Sequence, residues 1–288
     1  MGITEVFATP TPMVMPDFDG SEPGKKVVSM GGGKYHSCVV MKSGAMSCWG
    51  YNRRGNMSFA DSGTRYTPEE SPHFDGSSPE KSVVAISSGA NTEHTCVVLK
   101  TGAVNCFGRG HNERLGYVGA SASYFNPTPT EVIGLDGSSA TAVAVDVGGA
   151  FSCAVIADGT VRCWGNDGSG QLGNGAATTT DQSTPVEASG IDGTAGNKAV
   201  QISLGANTSC ALLDSGAVRC WGLGTSGQIG NQVDASSDVP VTLPDIDGTA
   251  GKKAVAISSG LSSSCALMED KSVKCWGASM TTSSNFCS

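Results

Sequence analysis

Hydrophobic and polar residues alternate with a period of two in short segments that recur along this chain. In one of them the apolar residues Val200, Ile202 and Leu204 are separated by polar residues, which is the pattern of a half-buried β-strand. Related segments read KSVVAIS and KAVAISS. No segment shows a sustained apolar stripe at helical spacing, and none has the roughly 18 consecutive apolar residues of a membrane span. The pattern predicts an all-β protein without a transmembrane helix.

Cysteines mark a repeat that runs through the whole chain. Within each of five pairs the two cysteines are ten residues apart, and successive pairs begin 58, 57, 57 and 55 residues apart. A proline also lies seven residues before an Asp-Gly dipeptide in every unit. We expect four strands per unit: a proline strand, a valine strand and the two strands of a cysteine hairpin. The five pairs are Cys38 and Cys48, Cys96 and Cys106, Cys153 and Cys163, Cys210 and Cys220, and Cys265 and Cys275.

A repeat of 40 to 60 residues with four strands favours a β-propeller, whose blades bury their sheet faces against one another. A β-solenoid is the alternative, although its repeats are usually shorter. We therefore expect residues 1–288 to form a single propeller domain. The predicted repeats are approximately 9–64, 65–125, 126–181, 182–236 and 237–288.

The segment GANTSCALLDSGAVRCWGLGTSGQIG at residues 205–230 resembles the repeat of the regulator of chromosome condensation (RCC1) family. The resemblance covers nearly the whole chain and is weaker in units one, two and five. In unit two, Phe107 replaces the tryptophan, and in unit one residues 56–58 replace the Gln-Leu-Gly turn. The family implies a seven-bladed propeller. The five units therefore predict a five-bladed ring, closed by the N-terminal proline strand, or part of a seven-bladed one, and we favour the part.

The hairpin CAVIADGTVRCWG at residues 153–165 has a register that can be tested within the sequence. A three-residue turn ending at Gly159 places Cys153 opposite Cys163. The pair two residues inward then shares their face and should be apolar. It is apolar in all five units: Val40 with Met46, Val98 with Val104, Val155 with Val161, Leu212 with Val218, and Leu267 with Val273. Opposed cysteines predict five disulfides within blades. Ten buried thiols are the alternative.

Disulfides favour an extracellular or secretory protein. The first 20 residues lack the basic and apolar segments of a secretory signal, so we expect a mature or partial chain, or another route. Cys287 has no partner in the repeat, and we expect an intermolecular bond or a free thiol there. Asn56 and Asn207 begin glycosylation sequons. Glycans are therefore expected as additional partners.

Charge argues against nucleic acid as a partner. Eighteen Lys and Arg residues against 26 Asp and Glu residues give a net charge of −8 without a basic cluster. Glycine at 40 of 288 residues fits a protein of turns and short strands. The matches to known catalytic patterns are weak, and we expect no enzyme activity.

Two motifs suggest a binding site, but their positions in the repeat are better explained by structural roles. Residues 168–173 match G-x-G-x-x-G, but a loop and a proline strand follow instead of the helix that a dinucleotide site requires. His36 and His94 occupy equivalent positions in two units only, so we expect packed histidines rather than a ring of ligands. The tryptophans that follow the second cysteine are expected to wedge between blades: Trp49, Trp164, Trp221 and Trp276.

Metal sites are not expected either. C-x9-C across a hairpin offers only two thiolates, whereas zinc usually takes four ligands. The segments at residues 17–20 and 245–248 contain paired aspartates but lack the downstream ligands of an EF-hand calcium loop. We expect Asp-Gly turns there and no cofactor.

The longest connectors, at residues 51–67, 109–127 and 174–184, are the candidate contact surfaces. Aromatic residues, which favour interfaces, concentrate in the first two. The alternative is that they fold back onto the blades. The candidate interface residues are Tyr51, Phe59, Tyr66, Tyr117, Tyr124 and Phe125.

Three hypotheses for function follow. The first is a non-catalytic extracellular structural or adhesive protein that acts through protein–protein assembly, including self-assembly into a polymer or matrix. The second is a secreted binding protein or enzyme inhibitor. The third, implied by the family resemblance, is a guanine-nucleotide exchange factor. It ranks last because it needs a reducing compartment and an inserted wedge that the sequence does not show.

Overall fold

Antiparallel β-strands build almost all of the regular structure in the computed structural model, which describes Met15, Phe18 and residues 22–89, 92–176 and 180–278. The strands are β1 (Val27–Gly32), β2 (His36–Met41), β3 (Ala45–Tyr51), β4 (Thr64–Asp75), β5 (Val83–Ser87), β6 (His94–Leu99), β7 (Ala103–Gly108), β8 (Asn126–Asp136), β9 (Ala142–Val147), β10 (Phe151–Ile156), β11 (Thr160–Gly165), β12 (Gln182–Asp192), β13 (Ala199–Leu204), β14 (Thr208–Leu213), β15 (Ala217–Gly222), β16 (Ser237–Asp247), β17 (Ala254–Ser259), β18 (Ser263–Met268) and β19 (Val273–Gly277). Short 3-10 helices lie at Pro23–Lys25, Pro79–Lys81, His111–Glu113 and Ala120–Ala122.

The strands form five sheets, which are the blades of the propeller. Four sheets have four strands, β1–β4, β5–β8, β9–β12 and β13–β16, and the fifth has β17–β19 among the described residues. Each proline strand closes the sheet of the hairpin before it, so the sheets begin one strand later than the sequence repeats. The N-terminal proline strand that was expected to complete the last blade lies outside the described residues, apart from Met15 and Phe18.

Every cysteine hairpin has the predicted register. Cys153 pairs with Cys163 and Val155 with Val161, and the other four hairpins repeat this pairing. The Cα atoms of opposed cysteines are 4.0–4.2 Å apart, and all five pairs are joined by disulfides. The apolar pair of each hairpin therefore lies on the same face as its disulfide.

Neighbouring blades share four hydrophobic cores, and each core joins two different faces. One blade contributes its disulfide and apolar pair, which we call the disulfide face. The next blade contributes its first-strand apolar residues and the aromatic residue after its second cysteine, which we call the tryptophan face. At the third junction, Cys153, Cys163 and Val161 of one blade pack with Leu204 and Trp221 of the next. The other three junctions have the same composition.

A backbone carbonyl of the connector between the third and fourth strands links each of the first three blades to the next one. At the third junction, the carbonyl oxygen of Gln171 accepts hydrogen bonds from Ser209 Oγ at 2.8 Å and from Trp221 Nε1 at 2.9 Å. The carbonyl of Arg114 accepts equivalent bonds at the second junction from the hydroxyl of Ser152, at 3.2 Å, and the indole of Trp164, at 3.0 Å. Trp164 and Trp221 are therefore both apolar wedges and hydrogen-bond donors.

The first junction shows why Phe107 replaces a tryptophan there. At the third junction Gly173 lies against Trp221, and a Cβ atom on this glycine would be 2.5 Å from the indole nitrogen. At the first junction Ser58 occupies the glycine position with a φ of 62°. Its hydroxyl is 2.6 Å from that of Ser71, and it is fully buried. The smaller ring of Phe107 fits a turn that carries a side chain.

The two equivalent histidines are structural. His36 Nε2 is 2.9 Å from Thr95 Oγ1 in the next blade. Because this hydroxyl donates to the carbonyl of Asn56, the histidine must donate from Nε2. Its Nδ1 has no hydrogen-bond partner among the described residues. Burial lowers the pKa of His36 from 6.5 to about 4. His94 repeats the arrangement with Ser152 at 2.9 Å, and burial lowers its pKa well below 6.5.

The first strands of the five blades, β1, β5, β9, β13 and β17, are the inner strands. An acidic side chain that the sequence analysis did not identify joins three of them. Asp146 on β9 accepts hydrogen bonds from Ser87 Oγ on β5 at 2.6 Å and from Leu204 N on β13 at 2.8 Å. Desolvation raises its pKa from 3.8 to about 6. It lines a cavity of about 380 Å³ to which all five inner strands contribute. Because its two carboxylate oxygens accept hydrogen bonds from the strands on either side, Asp146 connects its blade to both neighbours.

These buried groups predict that acid weakens the fold. A histidine whose pKa is lowered on folding binds its proton more readily in the unfolded chain, so stability falls as pH decreases from 6.5 towards 4. His36 alone contributes about 3 kcal/mol over this range. The raised pKa of Asp146 acts in the opposite direction, but two histidines outweigh one carboxylate.

Thermal unfolding measured at pH 7 and pH 5 should give a lower midpoint at pH 5. His36→Phe is the matched variant, because Phe151 occupies the equivalent position in blade three. The unfolding midpoint of this variant should depend less on pH than that of the wild type. An identical dependence in both proteins would contradict the assignment to His36.

Candidate functional site

The connectors between the third and fourth strands of the blades lie on one side of the propeller, together with the loops between the first and second strands. We call this side the connector face. Its connectors are residues 52–63, 109–125, 166–181 and 223–236, of which residues 177–179 are outside the description. The connectors of blades three and four contain no Lys or Arg, whereas those of blades one and two contain four Arg. Positive charge is therefore concentrated at one half of the face.

The six aromatic candidates divide by exposure. Tyr51, Tyr66 and Tyr124 are 57, 78 and 52% exposed. Tyr117 and Phe125 are partly buried, and Tyr117 packs against the core between blades two and three. The three exposed tyrosines are therefore the ones available to a partner.

Phe59 must be removed from the candidate interface. It is only 8% exposed and belongs to the core of the first junction. The guanidinium of Arg65 lies 4.1 Å from its ring centroid, and Arg65 also pairs with Asp61 at 2.6 Å and Glu69 at 3.2 Å. Hydrogen bonds from Arg65 and Gly63 lower the pKa of Asp61 well below its usual range. This ion-pair network covers the phenylalanine.

Tyr124 is the centre of a mixed aromatic and basic group. The guanidinium carbons of Arg54 and Arg109 lie 5.6 and 5.8 Å from its ring centroid, and the His111 ring stacks on it at 5.7 Å. Glu93 holds Arg109 at 2.9 Å and lies 3.9 Å from Arg54. Tyrosine and arginine are among the side chains that are enriched where proteins bind one another. We call these five residues the Tyr124 group.

Sequence reasoning found Tyr124 but missed its four neighbours. Arg54 and Arg109 belong to connectors of adjacent blades, and His111 follows two residues after Arg109. The signal was the presence of arginine in consecutive connectors, which a propeller brings together. Glu93 carried no signal, since it lies in a different loop.

The two sequons have different environments. Asn56 is 4% exposed, and its Nδ2 donates to the carbonyl of Tyr51 at 3.0 Å. It occupies the position of Gln171 and Gln228 in the later connectors, where the side chain braces the turn. The expectation of a glycan at Asn56 is therefore wrong for the folded chain. Asn207 is partly buried, and its glycosylation stays a prediction.

Among the described residues, no further blade packs on the disulfide face of the fifth blade. Its apolar pair, Leu267 and Val273, is 38 and 62% exposed. The corresponding pairs of the other four blades are at most 4% exposed, because the next blade packs on them. An apolar surface of junction type is thus exposed at one end of the described chain.

The tryptophan face of the first blade is only partly covered. A cavity of about 450 Å³ there is lined by Val27, Met30, Val39 and Trp49, with Phe18 at 6.2 Å from the Trp49 ring centroid. Met30 is 74% exposed. In contrast, the tryptophans of blades three and four are fully buried. Within the part of the chain that the structure describes, the first and fifth blades therefore present the two complementary halves of a blade junction.

Comparison with known proteins identifies the repeat. One family model of the regulator of chromosome condensation (RCC1) repeat matches residues 27–56, 142–171 and 199–228, and a second matches residues 158–212 and 215–267. Together these matches cover more than half of the chain. The chain belongs to the RCC1 repeat family. The sequence-based resemblance and the all-β propeller fold are thereby confirmed.

Relatives of this RCC1 propeller are larger proteins. The human E3 ubiquitin-protein ligase HERC2 is 31% identical over 254 residues, which are 88% of this chain and 5% of HERC2. The crystal structure of human WBSCR16 is similar at a TM-score of 0.73 and 19% identity, covering 88% of this chain and 62% of that one. The crystal structure of Kap60 bound to yeast RCC1 is similar at a TM-score of 0.71 and 18% identity, covering 88% of this chain and 56% of that one. The chain thus spans less than two thirds of each relative, and the solved structures establish the fold alone.

The remaining sequence motifs fit the RCC1 blade. Residues 168–173 form the connector turn that receives Trp221. In the segment at residues 245–248, Asp247 Oδ1 accepts a hydrogen bond from the backbone N–H of Thr249 at 2.9 Å. This carboxylate therefore stabilises its own turn. Within the described ranges no helix is long and apolar enough to cross a bilayer. Cys287 lies outside the described residues.

Proposed function

We propose that this chain is a non-catalytic RCC1 propeller that acts outside the cytosol as a structural or adhesive protein, and that it assembles with further copies of itself. Support for the compartment comes from the disulfides, because such bonds are rare in cytosolic proteins. Support for assembly comes from the exposed apolar pair Leu267 and Val273. The partner that we propose for this pair is the tryptophan face of another copy.

Four junctions within the chain serve as the template for this contact. In each, a disulfide and its apolar pair pack against the first strand and the aromatic residue of the next blade. The fifth blade presents the first half of such a junction, and the first blade presents the second half around Trp49. A contact of these two faces is heterologous, so it extends into a chain of copies unless it closes.

Sedimentation velocity over a range of protein concentrations tests the proposal. The wild-type protein should self-associate, and the paired variant Leu267→Asp with Val273→Asp should weaken association by roughly 100-fold or more, because buried unpaired carboxylates cost several kcal/mol. Val233→Asp, at an exposed valine of a connector, is the matched control and should associate like the wild type. A wild-type protein that stays monomeric at all concentrations would contradict self-assembly.

The second candidate is a secreted binding protein, and the Tyr124 group favours it. This group places an exposed tyrosine between two arginines on the basic half of the connector face. Yeast RCC1 has been crystallised with a protein, Kap60, bound to it. Such a binder should be monomeric in the sedimentation experiment and should recognise an acidic protein surface. No feature of the described residues favours nucleotide exchange over these two functions.

A further inference from the structure

The connector of blade two holds a buried arginine. Arg114 is only 5% exposed. Its guanidinium donates hydrogen bonds to the carbonyl oxygens of His111 and Gly149 at 2.6 and 3.0 Å, and to the amide oxygen of Asn112 at 3.3 Å. None of these three acceptors carries a charge. Burying a cation against neutral groups costs free energy unless an anion lies close to it.

The turn that carries Arg114 departs from the repeat. The equivalent residue of blade three is Gln171, which is neutral. The two residues before the arginine, Asn112 and Glu113, have φ values of 62° and 58°, in the left-handed region that side chains rarely adopt. In blade three Gly170 takes the position of Glu113, with a φ of 77°. Blade two therefore has a strained turn at the point where it adds a positive charge.

Positive charge exceeds negative charge where this arginine meets the Tyr124 group. Arg54 and Arg109 both lie against Glu93, at 3.9 and 2.9 Å. Desolvation lowers the pKa of Arg114 to about 10, and the charge of Arg109 lowers it further in the same direction. The buried guanidinium is still a cation at neutral pH. One carboxylate therefore forms ion pairs with two arginines and leaves the third without one.

A second carboxylate in this region is already engaged. Asp181 accepts hydrogen bonds from the side-chain amides of Asn112 and Asn166, both at 2.8 Å. Its charge and that of Glu93 act to raise the pKa of Arg114, but the combined effect of the surroundings still lowers it. The chain itself thus balances this positive charge only in part.

The same region is accessible from the connector face. The side chains of Arg54 and Arg109 are partly exposed, and His111 is exposed. Tyr124 and Val118 of the same connector are exposed as well. Guanidinium groups bind carboxylates through two parallel hydrogen bonds, whereas tyrosine and valine offer contacts to apolar side chains. This mixture fits a peptide that carries both kinds of side chain better than it fits a sulfated sugar chain.

We infer that Arg54, Arg109 and Arg114 form a carboxylate-binding site, and that its ligand is an acidic peptide segment of a partner protein. Arg54 and Arg109 contact the carboxylates of the peptide, and Arg114 adds its positive charge from a buried position. Tyr124 packs against an apolar side chain of the peptide. The inference rests on the second candidate function, the secreted binding protein. It is independent of self-assembly, because none of these side chains belongs to a junction face.

The test uses the complete folded chain at a concentration where sedimentation shows monomers. Fluorescence anisotropy measures the binding of a labelled eight-residue peptide that alternates glutamate with leucine. A second peptide has glutamine in place of glutamate and should bind at least about ten-fold more weakly, because charged hydrogen bonds and ion pairs are lost. Binding of the glutamate peptide should also weaken as the salt concentration rises.

Arg114→Gln is the variant that separates a binding role from a structural one, because Gln171 shows that this turn accepts glutamine. It should weaken binding of the glutamate peptide roughly ten-fold while the thermal unfolding midpoint does not fall. Arg109→Gln should weaken binding by a similar factor. Arg162→Gln is the matched control, since Arg162 is also partly exposed and lies 3.5 Å from a carboxylate, that of Glu187. It should bind like the wild type.

Three outcomes would overturn the inference. Equal affinities for the two peptides would exclude carboxylate recognition. Unchanged binding by both Arg109→Gln and Arg114→Gln would place the peptide elsewhere. Tighter binding of a heparin-derived oligosaccharide than of the glutamate peptide would assign the site to a sulfated polysaccharide. Sedimentation decides separately between the two candidate functions, so a monomer that does not bind the glutamate peptide overturns this site alone.

Discussion

Replacing Trp221 with alanine is expected to lower the free energy of unfolding by about 3–5 kcal/mol. The side chain is fully buried in the third junction and fills the space between two blades. The substitution also leaves the carbonyl of Gln171 without its indole donor. Chemical denaturation followed by circular dichroism would measure the change.

Trp221→Phe is the matched control, because Phe107 shows that the repeat accepts this ring. It should cost less than the alanine variant, since most of the apolar volume is kept and one hydrogen bond, about 1 kcal/mol, is lost. Gly173→Ser should destabilise the wild type by contact with the indole and be better tolerated beside phenylalanine, as Ser58 is beside Phe107. Additive effects of Gly173→Ser and Trp221→Phe would contradict this coupling.

Removal of the buried disulfide Cys153–Cys163 by paired alanine substitutions should cost about 2–3 kcal/mol from loop entropy, with a further cost from the cavity left in the core. The fifth pair, Cys265–Cys275, closes a loop of the same length but lies on a face against which no further described blade packs. Its paired alanine variant should therefore show the smaller decrease in the free energy of unfolding.

Equilibrium unfolding of both paired variants under oxidising conditions measures this difference. Equal decreases in the free energy of unfolding would mean that packing of the next blade on the disulfide does not contribute to stability. A larger decrease for the fifth pair would contradict the assignment of the exposed face. Each variant keeps four disulfides, so the fold should survive in both.

The hairpins could be predicted because five copies of one pattern constrain the register more than a single copy can. The jointly apolar pair two residues inside the cysteines is a condition that Val155 and Val161 satisfy together. Which sheet a proline strand joins was not predictable in this way. Strand β4 follows β3 across a long connector, and only the hydrogen-bond ladder shows that it closes the same blade.

The functional surface was harder to predict because it depends on side chains from separate loops. Tyr124 and Phe59 are both aromatic residues of connectors, yet one is exposed and the other lies beneath Arg65. Asn56 satisfies a local sequon pattern, but the turn directs its amide inwards to the backbone of Tyr51. Neither difference is encoded in the immediate sequence neighbours.

We propose that this RCC1 propeller, with disulfides in its blades, works outside the reducing cytosol. The test is the intact mass after alkylation without a reductant, measured on protein isolated from its natural source. Of the eleven cysteines, at most Cys287 should be alkylated before reduction, and the rest only after it. Alkylation of all eleven thiols without reductant would contradict both the disulfides and the proposed compartment.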